Sequence, residues 1–197
     1  MVNMEQIRSF IAIELPEELK LELGRLQEKL KIDRPRIKWV KSEGMHLTLK
    51  FLGNVPKDRI DAITRAMTES AAKVSPFQLE VGHLGVFPSL KRVQVVWIGL
   101  DGELDRIKQL HKSLETGLSL LGFAAEKRPF SPHLTLARVS NEAPPEERQR
   151  FGELIAATNF ETDKVITVNS IVLMRSQLTS QGAIYTKISL AELKQDR

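Results

Sequence analysis

The chain of 197 residues contains no cysteine, and this absence excludes several kinds of chemistry. Without thiols there are no disulfides, no thiolate nucleophile and no cysteine-based zinc site. Aromatic residues make up only 6% of the chain, and no apolar run is long enough to cross a membrane as a helix. The first residues also lack the basic and apolar regions of a signal peptide. We therefore expect a soluble cytoplasmic protein with no membrane association.

Length and charge limit the number of domains and the kind of partner. A hydrophobic share of 42% in 197 residues is enough for one substantial core or two small lobes, but not for two large domains. The net charge of +4 is a mild basicity that fits a polyanionic partner, although it also fits an ordinary solvated surface. We expect residues 1–197 to form a single domain.

Histidine is scarce as well, yet two of the four histidines lie in identical tetrapeptides. The sequence His46-Leu47-Thr48-Leu49 returns as His133-Leu134-Thr135-Leu136. In a β-strand the side chains alternate between faces, so each histidine and the threonine two residues later point the same way, about 7 Å apart. Two such strands brought together would direct two imidazoles and two hydroxyls into one cleft.

The flanks of the two tetrapeptides repeat as well. The pattern predicts a strand at 8–15 and a helix at 16–31 before the first tetrapeptide, and a strand at 93–100 and a helix at 103–121 before the second. Leucines at 19, 23, 26 and 30 recur at helical spacing and predict one apolar stripe on the first helix. Residues 33–36 are predicted to form a turn, and Gly53-Asn54 is predicted to stop the strand 45–52 that holds the first tetrapeptide. Each tetrapeptide strand precedes a helix opened by proline and then a pair of strands, the second pair being 165–174 with 183–190. A duplicated unit of about half the chain accounts for this order.

This repeat predicts the fold class. We expect an α+β protein that is bilobal, with two pseudo-symmetric antiparallel sheets and helices outside. A central groove would carry one His-x-Thr motif from each lobe. The two similar lobes would be intertwined in one domain.

Two histidines that face one cleft suit acid–base catalysis. An unperturbed imidazole has a pKa of about 6.5, so near neutrality one ring can accept a proton while the other donates one. Threonine hydroxyls beside them can donate hydrogen bonds to a phosphoryl oxygen as negative charge develops. A phosphodiester needs a base, an acid and such donors, so it fits this cleft.

Other kinds of site fit less well. Catalytic zinc usually has three protein ligands, and no close set of His, Asp and Glu with familiar spacing is visible, so we expect no metal and no cofactor. Ser131 lies near His133, but the G-x-S-x-G motif of a serine hydrolase is absent. His83 and His111 lie outside the motifs and are interpreted as packed or surface residues.

The two motifs and their flanks resemble a known family. Arg8 to Ile13 at the start, Phe51-Leu52-Gly53 after the first motif and Pro132 before the second are similar to the RNA 2',3'-cyclic phosphodiesterases of the two-histidine phosphoesterase superfamily, also called 2'-5' RNA ligases. Further similarities extend the resemblance over nearly the whole chain: Val86-Phe87-Pro88, the strand Val95 to Leu100, Ser176, Leu178, Gly182 and Tyr185.

The resemblance implies hydrolysis of RNA 2',3'-cyclic phosphate ends to 2'-phosphate without a metal. It implies His46 as proton donor and His133 as proton acceptor, with Thr48 and Thr135 holding the phosphate. It also implies that Arg138 contacts the phosphate and that Phe10 and Phe51 stack on the terminal base. The partner would be RNA with a cyclic phosphate end, with tRNA-derived ends as one candidate, and we expect the protein to act as a monomer.

Two of these residues need a departure from regular strand geometry. Phe51 and Arg138 each lie five residues after their histidine, and strict alternation places them on the opposite face, so their roles require a bulge or a strand end. Lys50 and Arg128 are weaker candidates for RNA contact, and an ordinary solvated surface charge is the better interpretation of each.

Two alternative functions stay open. The same groups could join RNA halves reversibly through a 2'-5' bond, because an acid and a base exchange roles in the reverse reaction. The protein could instead be a non-catalytic module that binds RNA ends, with histidines that only hold the phosphate.

Overall fold

A computed structural model describes residues 5–31, 36–180 and 182–194. Within these ranges the chain forms nine β-strands and four α-helices. In chain order they are β1 (Gln6–Glu14), α1 (Glu17–Leu30), β2 (Ile37–Trp39), β3 (His46–Pro56), α2 (Ile60–Ala71), β4 (Phe77–Phe87), β5 (Val95–Gly102), α3 (Leu104–Ser119), β6 (His133–Val139), α4 (Pro145–Ala157), β7 (Val165–Val168), β8 (Ser170–Thr179) and β9 (Gly182–Glu192).

The strands form two antiparallel sheets, which confirms the predicted fold class. The first sheet has the order β3-β1-β8-β9, and the second has the order β2-β6-β5-β4-β7. In both sheets the motif strand pairs with the strand that opens its half of the chain, β3 with β1 and β6 with β5. The second sheet takes β2 and β4 from the first half, and the first sheet takes β8 and β9 from the second. The single domain of two similar intertwined lobes stays a prediction.

The predicted strand at 165–174 is in fact two strands that belong to different sheets, and of these only β8 pairs with β9 as predicted. β7 pairs with β4 in the second sheet, whereas β8 pairs with β1 in the first sheet. The chain crosses between the sheets at Asn169. Apolar residues continue on both sides of this crossing, so hydrophobicity alone did not mark it. Ile166 and Val168 are buried before the crossing, and Ile171 and Leu173 are buried after it.

The end of the first motif strand also differs from the prediction. Gly53 and Asn54 were expected to stop the strand, yet β3 continues to Pro56, which pairs with Gln6. Gly53 takes a positive φ of 72°, which glycine adopts without steric cost, and it stays paired with β1 opposite Ser9. The turn predicted at 33–36 lies mostly outside the described residues.

The helices cover one face of each sheet. The predicted apolar stripe of α1 is confirmed, because Leu19, Leu23, Leu26 and Leu30 are all buried. They belong to one continuous hydrophobic core that contains residues of both sheets and all four helices. Burial of each such leucine contributes about 1.5–3 kcal/mol. The faces turned away from this core, called here the groove faces, carry the two motifs.

Candidate active site

Each motif strand contains a β-bulge at the fourth residue of its motif. The pairing of β3 with β1 passes from Thr48 to Lys50, and the pairing of β6 with β5 passes from Thr135 to Ala137. The residue skipped in this pairing, Leu49 in β3 and Leu136 in β6, has no partner in β1 or β5. An extra residue of this kind shifts the alternation of side chains beyond it.

The bulges turn the residues five positions after each histidine onto the groove face. Thr48 lies opposite Ala12 and Phe51 lies opposite Phe10. Because Phe10 and Ala12 are two residues apart on β1, their partners Thr48 and Phe51 share one face. This register provides the bulge that the role of Phe51 required.

The second sheet repeats the arrangement. Thr135 lies opposite Trp97 and Arg138 lies opposite Val95, so Arg138 shares the groove face with Thr135 and His133. The strands β3 and β6 contact each other where the two sheets meet. The structure therefore brings the two motif strands into contact, each with its histidine and threonine on a groove face.

Both catalytic candidates have the same tautomer. Nδ1 of His46 lies 2.7 Å from the carbonyl oxygen of Gly44, and Nδ1 of His133 lies 2.7 Å from the carbonyl oxygen of Ser131. A carbonyl oxygen only accepts hydrogen bonds, so Nδ1 must donate its proton in each case. In the neutral rings Nε2 is then the nitrogen that can exchange a proton with a substrate.

His46 is packed between aromatic rings. The Phe10 ring stacks on it with centroids 4.6 Å apart, and the Tyr185 ring meets it edge-on at 5.1 Å. Burial lowers the pKa of His46, while the Gly44 carbonyl partly opposes this shift and Lys20 adds a weaker lowering effect. An anion bound beside the ring would raise this pKa, because it favours the charged imidazolium.

The burial of Phe10 corrects one prediction. Phe10 is only 2% exposed, since its ring contacts His46 on one side and the edge of Tyr185 on another. A ring packed in this way offers no open face to a base, so Phe10 supports His46 instead of stacking on substrate. Phe51 is 59% exposed beside Phe10 and keeps an open face.

Aromatic rings also line the groove face beside His133. Phe87 meets the His133 ring edge-on at 5.4 Å, and the Trp97 ring lies 6.4 Å from it. The indole of Trp97 lies over Gly85, where an added Cβ would come within 2.4 Å of the ring. Only glycine fits at this position without moving Trp97.

Lys38 is a site residue that the sequence alone did not indicate. It lies directly opposite Arg138 in the pairing of β2 with β6. Its neighbour Trp39 packs against Phe151 on the helix side, so Lys38 points toward the groove face. Like charges on directly opposite residues destabilise a sheet, and a bound anion would relieve this repulsion. Only the strand register reveals this pair, because 100 residues separate the two positions in sequence.

Lys50 is not a surface charge, which corrects its interpretation from the sequence. Its side chain is 3% exposed and forms an ion pair with Glu115. Arg128 is exposed, as expected of a solvated charge.

Three features are absent from the described residues: hydrogen bonds donated by the motif threonines, a metal-binding group of side chains and a membrane-spanning helix. Neither Thr48 nor Thr135 donates a hydrogen bond from its hydroxyl within the described part of the chain. Over residues 5–31, 36–180 and 182–194, no group of three or more His, Asp or Glu side chains is placed to hold a metal ion. None of the helices described is long and apolar enough to span a membrane.

Known proteins resemble this chain over nearly its whole length. It is 32% identical to a protein of Methanothermobacter thermautotrophicus named RNA 2',3'-cyclic phosphodiesterase, with 95% of this chain and 100% of that protein covered. A protein of the same name from Methanocaldococcus jannaschii is 31% identical, with 92% of this chain and 98% of that one covered.

Solved structures share the fold. A protein of Thermus thermophilus matches with a TM-score of 0.80 and 26% identity, covering 97% of this chain and 100% of its own. E. coli LigT complexed with 3'-AMP matches with a TM-score of 0.77 and 25% identity over the same shares. The family profile described as the 2'-5' RNA ligase superfamily matches residues 15–179. This chain, with its two His-x-Thr motifs on paired groove faces, belongs to that superfamily.

Proposed function

We propose that this protein opens the 2',3'-cyclic phosphate at the end of an RNA and leaves a 2'-phosphate, by acid–base catalysis between His46 and His133. The observation that carries the proposal is the matched pair of histidines, each with Nδ1 bonded to the carbonyl two residues earlier. This bond leaves Nε2 of both rings free for proton transfer. The names of the similar proteins support the substrate class.

The reaction needs two proton transfers, one from the attacking water and one to the leaving 3' oxygen. His133 accepts a proton from water as the water oxygen bonds to phosphorus, and His46 donates a proton to the 3' oxygen as its bond to phosphorus breaks. The family resemblance supports this assignment of roles. A lowered pKa makes the His46 imidazolium a stronger acid. The phosphate anion favours the charged form of His46 until the proton is transferred.

The remaining groove residues hold the substrate. The hydroxyls of Thr48 and Thr135 donate hydrogen bonds to the non-bridging oxygens, which gain charge in the transition state. Arg138 and Lys38 bind phosphate from the second sheet. Phe51 provides an exposed ring beside the first motif for a base to stack on, a contact worth about 1–3 kcal/mol per base.

The prediction for Lys38 and Arg138 concerns the salt dependence of binding. Lys38→Gln or Arg138→Gln should weaken binding of an RNA that ends in a 2'-phosphate and reduce the slope of log affinity against log salt by about 0.7–0.9 each. Fluorescence anisotropy at several salt concentrations measures this slope. Lys112→Gln, an exposed cation on α3, is the matched control and should leave it unchanged. An unchanged slope in the Lys38 variant would remove this residue from the site.

A second candidate function is reversible 2'-5' joining of RNA, which the description of the superfamily favours. The same histidines serve both directions, because the acid of one direction is the base of the other. Supplying an RNA with a free 5'-hydroxyl beside the cyclic end would reveal a joined product. The monomeric state and the cytoplasmic location stay predictions.

Turnover in the presence of a chelator tests the proposed function. The purified protein should convert an oligonucleotide with a 2',3'-cyclic phosphate end to the 2'-phosphate in excess EDTA, as resolved against 2'- and 3'-phosphate standards. A dominant 3'-phosphate would mean that the substrate lies reversed between the histidines. Loss of activity that zinc or manganese restores would indicate a metal enzyme, and tight binding without turnover would favour the binding module.

A further inference from the structure

Residues 120–132 connect α3 to β6 without forming a helix or a strand. This segment, called here the α3–β6 loop, ends immediately before His133. Loops of about 12–15 residues without secondary structure are uncommon in compact domains and are often functional. Three side chains that the proposed mechanism does not use, Lys50, His111 and Glu115, hold this loop in place.

Lys50 contacts the start of the loop from the first motif strand. Its ammonium group lies 2.6 Å from the Glu115 carboxylate and donates a hydrogen bond of 2.7 Å to the carbonyl oxygen of Ala124. The Lys50 side chain is 3% exposed and that of Glu115 is 15% exposed. A lysine so deeply buried needs both partners, because an unpaired charge in the interior is strongly unfavourable.

Glu115 and His111 contact the loop from α3. The other carboxylate oxygen of Glu115 accepts a hydrogen bond of 3.2 Å from the backbone N–H of Glu126. His111, one helical turn earlier, stacks flat on the Phe130 ring with centroids 4.1 Å apart and planes 10° apart. The loop is therefore held at Ala124, Glu126 and Phe130.

The last of these contacts is adjacent to the active site. Phe130 directly precedes Ser131, whose carbonyl oxygen accepts the hydrogen bond from Nδ1 of His133. The equivalent carbonyl at the first motif, that of Gly44, lies in a 3-10 turn formed by Ser42–Gly44. Backbone hydrogen bonds within that turn hold Gly44. The segment 129–132 has no regular structure, so the position of the Ser131 carbonyl depends on contacts made elsewhere in the loop.

We propose that Lys50, Glu115 and His111 are positioning residues for His133. They hold the α3–β6 loop so that the Ser131 carbonyl fixes the tautomer and the direction of the His133 ring. Because Lys50 lies on β3 with His46 and Thr48, the same cluster ties the first motif strand to the loop that delivers the second motif. The expected effect on rate rests on the proposed function, whereas the state of the His133 ring is observable without turnover.

The first test removes the buried ion pair as a unit. In the double variant Lys50→Met and Glu115→Gln no unpaired charge stays buried, and the contact with Ala124 is lost. We expect kcat for ring opening to fall about 10–100-fold with little change in KM, because a small misplacement of a catalytic group is costly. The double variant Lys164→Met and Glu18→Gln removes a surface ion pair and is the matched control. This control variant should change neither kcat nor KM.

Nitrogen-15 NMR of the imidazole rings provides the readout that does not depend on activity. In the Lys50 and Glu115 double variant we expect the His133 signals to shift toward a mixture of tautomers while the His46 signals stay in place. Unchanged His133 signals together with unchanged kcat would overturn the proposal. If the wild type lacks turnover but the His133 signals still change in the double variant, the positioning role is supported and the proposed function is refuted.

A second pair of variants keeps the proposal testable if the double variant does not fold. His111→Phe retains a flat ring that can stack on Phe130, whereas His111→Ala removes the stack. We expect His111→Phe to keep the wild-type His133 signals and kcat. His111→Ala should shift the His133 signals and lower kcat. Equal behaviour of the two variants would contradict the role of the stack.

Discussion

His46→Ala and His133→Ala are each expected to lower kcat for opening of the cyclic phosphate by about 10²–10⁴-fold, the usual contribution of a positioned acid or base. Each substitution removes the Nε2 that carries one obligatory proton transfer. Binding of the product RNA should largely survive, since the threonines and the basic pair stay in place. Steady-state kinetics with the cyclic-phosphate oligonucleotide measures the loss.

Two controls separate this effect from misfolding. His83→Ala removes an exposed histidine next to Trp97 that lies outside both motifs, and it should retain wild-type kcat. His46→Asn and His133→Asn keep a side-chain N–H for the carbonyl that Nδ1 contacts, yet they remove Nε2 and should be as inactive as the alanine variants. Near wild-type turnover in any of these motif variants would refute the acid–base pair.

Thr48→Val and Thr135→Val are each expected to lower kcat by about 10²–10³-fold, equivalent to about 2.7–4 kcal/mol of barrier. Valine keeps the branched shape of threonine but has no hydroxyl to donate to the phosphoryl oxygen. The hydroxyl matters most when negative charge builds on that oxygen, so KM should change much less than kcat. Single-turnover rates at saturating enzyme isolate the chemical step.

The matched control is Thr167→Val, which removes an exposed hydroxyl from β7 and should leave kcat unchanged. A motif variant that turned over as fast as the wild type would remove the hydroxyl from the mechanism. An effect on KM alone would assign it to ground-state binding.

The repeated motif made the main features of this protein predictable. Identical tetrapeptides with similar flanks indicated two equivalent strands, and alternation along a strand placed each histidine on the same face as its threonine. The leucine spacing in α1 likewise predicted its buried stripe. These features depend on residues close together in sequence, so the chain alone was enough to find them.

Features that depend on contacts between distant segments were not predictable. The bulges at Leu49 and Leu136 depend on how each motif strand pairs with its neighbour, and only that register places Phe51 and Arg138 on the groove faces. Phe10 was expected to meet substrate but is covered by Tyr185, which lies 175 residues later on β9. Lys50 was interpreted as a surface charge because its partner Glu115 lies on a distant helix.

The division of roles between His46 and His133 is the central claim, and a substrate with sulfur in place of the 3' bridging oxygen tests it most directly. A thiol has a pKa of about 8.5, so a thiolate leaves without needing a proton from the enzyme. We expect His46→Ala to open this substrate at close to the wild-type rate, whereas His133→Ala stays inactive because it still lacks the base. Rescue of His133→Ala in place of His46→Ala would show that the donor and acceptor are exchanged, and rescue of neither would contradict the assignment of His46 as the acid.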